Sequence, residues 1–248
     1  MKKIDTAVIL CAGNGSRMRP FTNFYPKSLL PIKDKIALEI VVWEALKSGA
    51  KHIIFVHNKK DVFIKSFSKW FNEEYKTDAK FSFCVQQEKT GAGGAVMACE
   101  HLVKKPFFLA FSDDLTKSSV PVLSQLEEIY RKSQKNVVAV RFVKKSLAQN
   151  YGILKPTVFF ENYFEFCGIV EKPKAPFKQN FANFGRYVLT PKIFKILKTL
   201  QKEDNGEIYL TKAFDILAKE NKIVAHKFEG QAFDIGTMRN YIKTFEDY

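Results

Sequence analysis

The stretch Ala7–Ile32, AVILCAGNGSRMRPFTNFYPKSLLPI, decides how the chain is to be read. It begins with an uninterrupted apolar run, the pattern of a strand covered on both faces of a sheet. The run ends in a glycine turn, Gly13-Asn14-Gly15, and continues through Arg17, Arg19 and Lys27 in a segment broken by Pro20 and Pro26. Glycine lets backbone N–H groups come close to a ligand's oxygens, and arginine and lysine supply the counter-charge for phosphate. A tight turn with no ligand would also use glycine here. The positive residues that follow it point to an anion.

Two known phosphate turns fail on spacing. The dinucleotide fingerprint G-x-G-x-x-G needs a third glycine where Met18 stands, and a P-loop needs Gly-Lys-Ser/Thr where Gly15 is followed by Ser16 and Arg17. What remains is G-x-G-S-R followed at a distance by Pro26-Lys27.

Outward from this stretch the chain alternates. Apolar runs at 6–11, 52–57, 81–85, 106–111 and 136–143 are separated by helical patterns over about 36–47, 61–71, 93–103 and 120–132. Such alternation predicts right-handed crossovers and a mostly parallel sheet. The later part reads differently. Residues 151–160 and 163–173 form a predicted antiparallel hairpin turning near Glu161-Asn162, followed by a strand at 184–190 and a helix opened by Pro191. A helix over 208–220, a strand over 222–228 and a final helix over 237–246 complete the reading, with no linker and no repeat. The expected fold is therefore α/β: a Rossmann-like, mostly parallel central sheet flanked by helices, with a small antiparallel insertion.

Lysine and arginine number 40 against 26 aspartates and glutamates, a net charge of +14. The lysines are spread along the whole length, and nucleic-acid binding calls for a clustered basic footprint, so no nucleic acid is expected as a partner. No apolar stretch approaches the roughly 20 residues of a membrane span, and the N-terminal apolar run is too short for a secretory leader. The four cysteines form no C-x-x-C pair and the four histidines no metal-binding spacing. Buried free thiols in a reducing compartment, and a cytoplasmic protein with no membrane contact, are the expectation.

The opening stretch resembles the signature of the sugar-1-phosphate nucleotidylyltransferases, roughly G-x-G-[ST]-R-[ML]-x-P-x-T followed by P-K-x-[ML]-L-P-I. Gly13, Gly15, Ser16, Arg17, Met18, Pro20, Thr22, Pro26, Lys27, Leu30, Pro31 and Ile32 carry the match. The resemblance continues in order to the end of the chain, through VQQEKTGAGGAV, FFLAFSDDL, YGILKP, GIVEKPK, FGRYVLT, GEIYLTKA and QAFDIGT. Within the family, VEKPK, GRYVL and GEIYLTKA look most like the bacterial UTP–glucose-1-phosphate uridylyltransferases.

The resemblance implies a nucleotide-diphospho-sugar transferase type of fold. Residues 1–248 would form one nucleotidyltransferase domain, with a nucleotide-binding half over about 1–145 and a sugar-binding and C-terminal half over about 146–248. Ala12, Gly13, Gly15 and Ser16 are implied to hold the nucleotide, with Gln86 and Gly91 framing its base. An amide at Gln86 suits a pyrimidine edge because it both donates and accepts; taken alone, it is a glutamine at a strand end. Arg17 and Lys27 would bind the triphosphate. Gly152, Glu171 and Lys172 would hold the sugar and its phosphate. Asp113 and Asp234 are implied to bind Mg²⁺, whose preference for hard carboxylate oxygens they satisfy. A lone aspartate at a strand end otherwise reads as a helix cap, and Asp114 beside Asp113 is open to that role.

The implied reaction transfers a uridylyl group from UTP to glucose 1-phosphate, in a homodimer or homotetramer. A dTTP-dependent glucose-1-phosphate thymidylyltransferase and a non-catalytic nucleotide-sensing subunit on the same fold are the alternatives. Three positions depart from the uridylyltransferase pattern: Asn23 stands for a lysine, Gly94 for a histidine, and Ser28 for a glutamate.

Overall fold

The computed structural model describes residues 3–13, 15–59, 63–175 and 177–248. Among these described residues, thirteen strands and seven α-helices follow in chain order. The first part comprises β1 (Thr6–Leu10), the short hairpin β2 (Pro31–Ile32) and β3 (Lys35–Ile36), α1 (Ala37–Lys47), β4 (His52–Asn58), α2 (Phe63–Tyr75) and β5 (Lys80–Gln86). Next come α3 (Gly91–Ala98), β6 (Phe107–Phe111), β7 (Asp114–Lys117), α4 (Val122–Ser133), β8 (Asn136–Phe142), β9 (Gly152–Phe159) and β10 (Phe164–Glu171). The chain ends with β11 (Phe181–Leu189), α5 (Lys192–Thr199), α6 (Leu210–Lys219), β12 (Ile223–Lys227), β13 (Gln231–Asp234) and α7 (Met238–Asp247). Asp61, the expected first residue of the second helix, lies outside the described residues.

Nine strands form one sheet in the order β5-β4-β1-β6-β11-β8-β12-β10-β9. Ala7, Val8 and Ile9 of β1 are fully buried, as expected for a strand with helices over both faces. One face is covered by α1, α2 and α4, the other by α3, α5 and α6, each through its apolar stripe. The first crossovers give the expected parallel set β5, β4, β1 and β6.

The second half joins this sheet rather than forming a separate one. Strand β11 lies antiparallel between β6 and β8, while β12 is parallel to β8. The β9–β10 hairpin attaches through Phe164 opposite Ala225 of β12. Ile153 of β9 also pairs with Ala182 of β11, so β11, β8, β12, β10 and β9 close into a ring. Register breaks in β10 and in β11 between Asn183 and Tyr187 supply the local bending that closure needs.

A separate two-stranded ribbon pairs β7 with β13, setting Asp114 opposite Asp234. Among the described residues, no helix is long and apolar enough to cross a membrane.

Candidate active site

In open α/β sheets ligands gather at the carboxyl ends of parallel strands. A cavity of about 380 Å³ lies there, at the ends of β1, β5 and β6. Ala12, Gly13, Arg17 and Lys27 from the opening stretch meet Gln86 and Gly91 from the second motif and Asp113 from the third. An outer cleft of about 660 Å³ shares Ala12, Gly13, Lys27 and Gln86 with it and adds Ser16 and Asn23. Gly15 lines neither cavity. It has φ +59°, and a Cβ there would sit 2.6 Å from Thr22 Cγ2, so it shapes the loop. Thr22 closes that turn by donating its hydroxyl to the Gly15 carbonyl at 2.8 Å.

At one end of the deep cavity, Gln86 leaves β5 just before α3. Its Nε2 donates to the Gly91 carbonyl at 3.0 Å and to Thr90 Oγ1 at 3.3 Å. No protein donor meets its Oε1 among the described residues, so an acceptor is left for a ligand. Gly94 accounts for one departure from the family pattern: a Cβ there would come within 1.7 Å of Thr90 Oγ1. The Thr90 hydroxyl fills that space and steadies Gln86 instead. The loop before α6 is strapped to this corner, Ile208 N donating to the Thr90 carbonyl and Gly93 N to the Ile208 carbonyl, each at 2.9 Å. Glu207 reaches the deep cavity by that route.

At the other end stands Asp113, while Asp114 and Asp234 lie next to it and line neither cavity. Ile235 N donates to the Asp113 carbonyl at 3.0 Å and extends the β7–β13 ladder, bringing Asp113 and Asp234 to one edge. Asp113 lies in the two-residue turn between β6 and β7, and Asp114 is the first residue of β7, so the two neighbours part. Asp113 faces the cavity and accepts a hydrogen bond from the Lys27 ammonium. Asp114 turns inward and accepts from Gly185 N at 3.1 Å. Burial, and then the charges of Asp113 and Asp234, push the Asp114 carboxyl up to about 7. Asp234 accepts from Gly236 N at 2.6 Å and from Asn240 Nδ2 at 2.8 Å. The Arg17 guanidinium lies against the same Gly236 turn.

These residues fit a divalent cation of the Mg²⁺ type. Asp113 already holds a cation, the Lys27 ammonium, and no group of three or more His, Cys, Asp or Glu forms a closed cage among the described residues. Two carboxylates, with the remaining positions left to water and phosphate, is the donor set Mg²⁺ uses at phosphate sites.

The turn carrying Asp113 is held from behind by a buried ion pair. Arg186 of β11 is fully buried, and its Nε lies 3.1 and 3.0 Å from the two Glu44 carboxylate oxygens of α1. Its remaining donors go to the carbonyls of Phe111 at 3.1 Å, Gly185 at 2.9 Å and Asp114 at 2.7 Å, bracketing Ser112-Asp113. Glu44 also accepts from Thr116 Oγ1 at 2.7 Å and Leu123 N at 3.2 Å.

Gly152, Glu171 and Lys172 come together at the paired ends of β9 and β10, outside both cavities. Glu171 stands opposite Gly152, and a Cβ at Gly152 would lie 3.0 Å from the Glu171 carboxylate. Lys172 takes φ +44°, uncommon for a residue with a side chain, while its N–H donates to the Tyr151 carbonyl at 3.1 Å. The chain thus turns out of the strand direction at the lysine.

Sequence reasoning singled out neither Glu207 nor the Arg186–Glu44 pair. A charged residue inside the apolar strand pattern FGRYVL was the available sign of a buried partner. Glu207 belongs to GEIYLTKA, one of the stretches that carry the resemblance, but only the fold brings it to the cavity.

The sequence profile of the family described as Nucleotidyl transferase matches residues 6–248. A UTP–glucose-1-phosphate uridylyltransferase of Staphylococcus saprophyticus is 35% identical, the match covering 100% of this chain and 93% of that protein. A crystal structure of a UDP-glucose pyrophosphorylase complexed with UDP-glucose superposes with a TM-score of 0.91 at 31% identity, over 99% of this chain and 98% of that one. The apo form of a UDP-glucose pyrophosphorylase gives a TM-score of 0.88 at 30% identity, with the same coverage of 99% and 98%. A phosphate-type loop, a glutamine at a helix start and paired carboxylates at the sheet edge, set in this order along a chain matched almost end to end, place the protein in the nucleotidyl transferase family.

Proposed function

We propose that this chain transfers a uridylyl group from UTP to glucose 1-phosphate, releasing pyrophosphate and UDP-glucose. The observation that carries the reading is the layout of the deep cavity. Gln86 and Gly91 stand at one end, and Arg17, Lys27 and Asp113 at the other, which suits a molecule with a base at one end and phosphates at the other. The uridylyltransferase and UDP-glucose pyrophosphorylase relatives described above support the choice of substrates.

Under this reading the Gln86 Oε1 accepts from the pyrimidine edge. Ala12, Gly13 and Ser16 line the path of the phosphates, and Gly15 holds the loop that presents them. Arg17 and Lys27 bind the triphosphate and neutralise the departing pyrophosphate. Gly152 and Glu171 take the sugar, and Lys172 its phosphate. That phosphate is an anionic nucleophile near neutral pH, so no general base is needed. The work left to the protein is bringing two anions into line and countering charge on the leaving group. Asp113 and Asp234 would hold Mg²⁺, which when bound supplies positive charge beside the reacting phosphates. Lys27, which pairs with Asp113 in this structure, is the cation that would turn to the triphosphate. A homodimeric or homotetrameric assembly belongs to the same proposal, and light scattering on the purified protein reads it.

Pyrophosphate release with glucose 1-phosphate and Mg²⁺, compared across UTP, dTTP, CTP, ATP and GTP, tests the function. A strong preference for UTP is expected. Preference for dTTP would make the protein a thymidylyltransferase, and no release with any of the five would remove the catalytic reading.

Lys172→Ala is expected to raise the KM for glucose 1-phosphate about tenfold or more, the worth of one charge-assisted hydrogen bond, and to leave the KM for UTP near its original value. Steady-state kinetics with each substrate varied in turn checks this, and equal effects on both constants would remove Lys172 from the sugar-phosphate side.

A further inference from the structure

Arg141, near the end of β8, is charged, half-buried and without a protein acceptor among the described residues. Its guanidinium carbon lies 4.9 Å from the ring centre of Tyr151 and 5.7 Å from that of Phe184. Its Nε is buried with no hydrogen-bond partner, and no carboxylate comes within ion-pair distance of the group among the described residues. Arg186, the fully buried arginine one strand away, has its charge paired with Glu44 and its other donors met by carbonyls. A guanidinium loses much of its hydration where it is stacked between rings, and a half-buried one with no acceptor calls for an explanation. The two rings hold the group in place, and a planar guanidinium whose donors have no protein acceptor among the described residues suits recognition of phosphate.

Its position says which phosphate. Tyr151 precedes Gly152, and the Tyr151 carbonyl accepts from Lys172 N at 3.1 Å. Arg141 is thus one ring away from the turn that carries Lys172. Phe184, the other ring, adjoins Gly185, whose N–H donates to Asp114 at 3.1 Å. Arg141 therefore lies between the turn with Lys172 and the strand with the carboxylates.

We infer that Arg141 is a second cation for the sugar phosphate, donating from its planar edge to a phosphate oxygen while Tyr151 and Phe184 hold it in place. The inference rests on the proposed function, because it takes the β9–β10 end as the sugar side. In that role Arg141 shares with Lys172 the charge of the attacking phosphate and limits how it can turn.

The test uses the whole protein and two variants, Arg141→Gln and Arg141→Lys. Calorimetry reads binding of glucose 1-phosphate and, separately, of inorganic phosphate, each with and without the non-reacting α,β-imido analogue of UTP. Kinetics reads the KM of each substrate. Arg141→Gln is expected to weaken glucose 1-phosphate about tenfold or more and inorganic phosphate with it, as when a hydrogen bond between charged groups is lost. The KM for UTP should stay within about twofold. Arg141→Lys, which keeps the charge without the planar fork, should recover part of the loss.

Unchanged glucose 1-phosphate binding with a lowered melting temperature would overturn the inference and leave Arg141 as packing between two rings. Weakened glucose 1-phosphate with unchanged inorganic phosphate would overturn it too, by placing the arginine on a sugar hydroxyl. No binding of glucose 1-phosphate to the unaltered protein under either condition would overturn it outright. The two readings fail separately. If glucose 1-phosphate and inorganic phosphate both bind and both depend on Arg141, yet no UDP-glucose forms, the activity falls and the anion site stands. If UDP-glucose forms and Arg141→Gln binds normally, only the inference falls.

Discussion

Asp113→Asn is expected to lower kcat for UDP-glucose formation by about 10²-fold or more, the usual effect of losing one preorganised electrostatic contact at a reacting centre. Asp113 is the carboxylate that faces the cavity, and it already carries a cation in the form of the Lys27 ammonium. An amide keeps the size of the side chain and removes the charge, so the fold has little reason to change. The apparent affinity for Mg²⁺ should fall together with kcat, read by titrating the metal at saturating substrates.

Asp114→Asn is the matched control. Asp114 points away from the cavity to Gly185 N, and an asparagine oxygen can accept that hydrogen bond. Its carboxyl is raised from 3.8 to about 7 by burial first and by the neighbouring carboxylates second. A carboxyl raised in the folded state stabilises the fold in its protonated form, and that contribution is lost as the pH climbs from about 4 through about 7. Asp114→Asn should therefore flatten the dependence of the melting temperature on pH across that interval, with far less loss of turnover than Asp113→Asn. Near-normal turnover of Asp113→Asn, or a larger loss in Asp114→Asn, would mean the wrong aspartate was assigned to the reaction.

Arg186→Leu is expected to cost about 3–5 kcal/mol of folding stability, because it leaves the Glu44 carboxylate buried without its counter-charge. For a chain of this size that corresponds to a fall in melting temperature of roughly 6–20 °C. Removing the guanidinium also releases the carbonyls of Phe111 and Asp114 on either side of Ser112-Asp113. Activity measured well below the new transition should therefore fall as well. Replacing both partners with apolar residues, Glu44→Leu with Arg186→Leu, should recover much of the stability, since no charge is then buried alone. It should recover less of the activity, since those carbonyls remain without a donor. Thermal unfolding followed by circular dichroism decides the first part. A melting temperature within 2 °C of the original in Arg186→Leu, about the effect of one kcal/mol or less, would show that the pair contributes little to stability.

Much of the site is local in the chain and was legible as such. Buried strands write themselves as apolar runs, and a loop needing close backbone approach writes itself as Gly13 and Gly15 before Arg17. Gln86 and Gly91 are five residues apart, and the end of β5 and start of α3 bring them into contact without help from the rest of the fold. Periodicity reports which face of an element is buried, however, and not what lies against that face. The place of β11 between β6 and β8, and the attachment of the β9–β10 hairpin to β12, rest on long-range pairing and register breaks that have no local mark. The same holds for Lys27 on Asp113, 86 residues apart, and for Arg186 on Glu44, 142 residues apart. The chain on its own placed two adjacent aspartates at the end of a strand. The family resemblance picked out Asp113; that Asp113 turns to Lys27 while Asp114 turns into the protein to Gly185 is set by the tertiary structure alone.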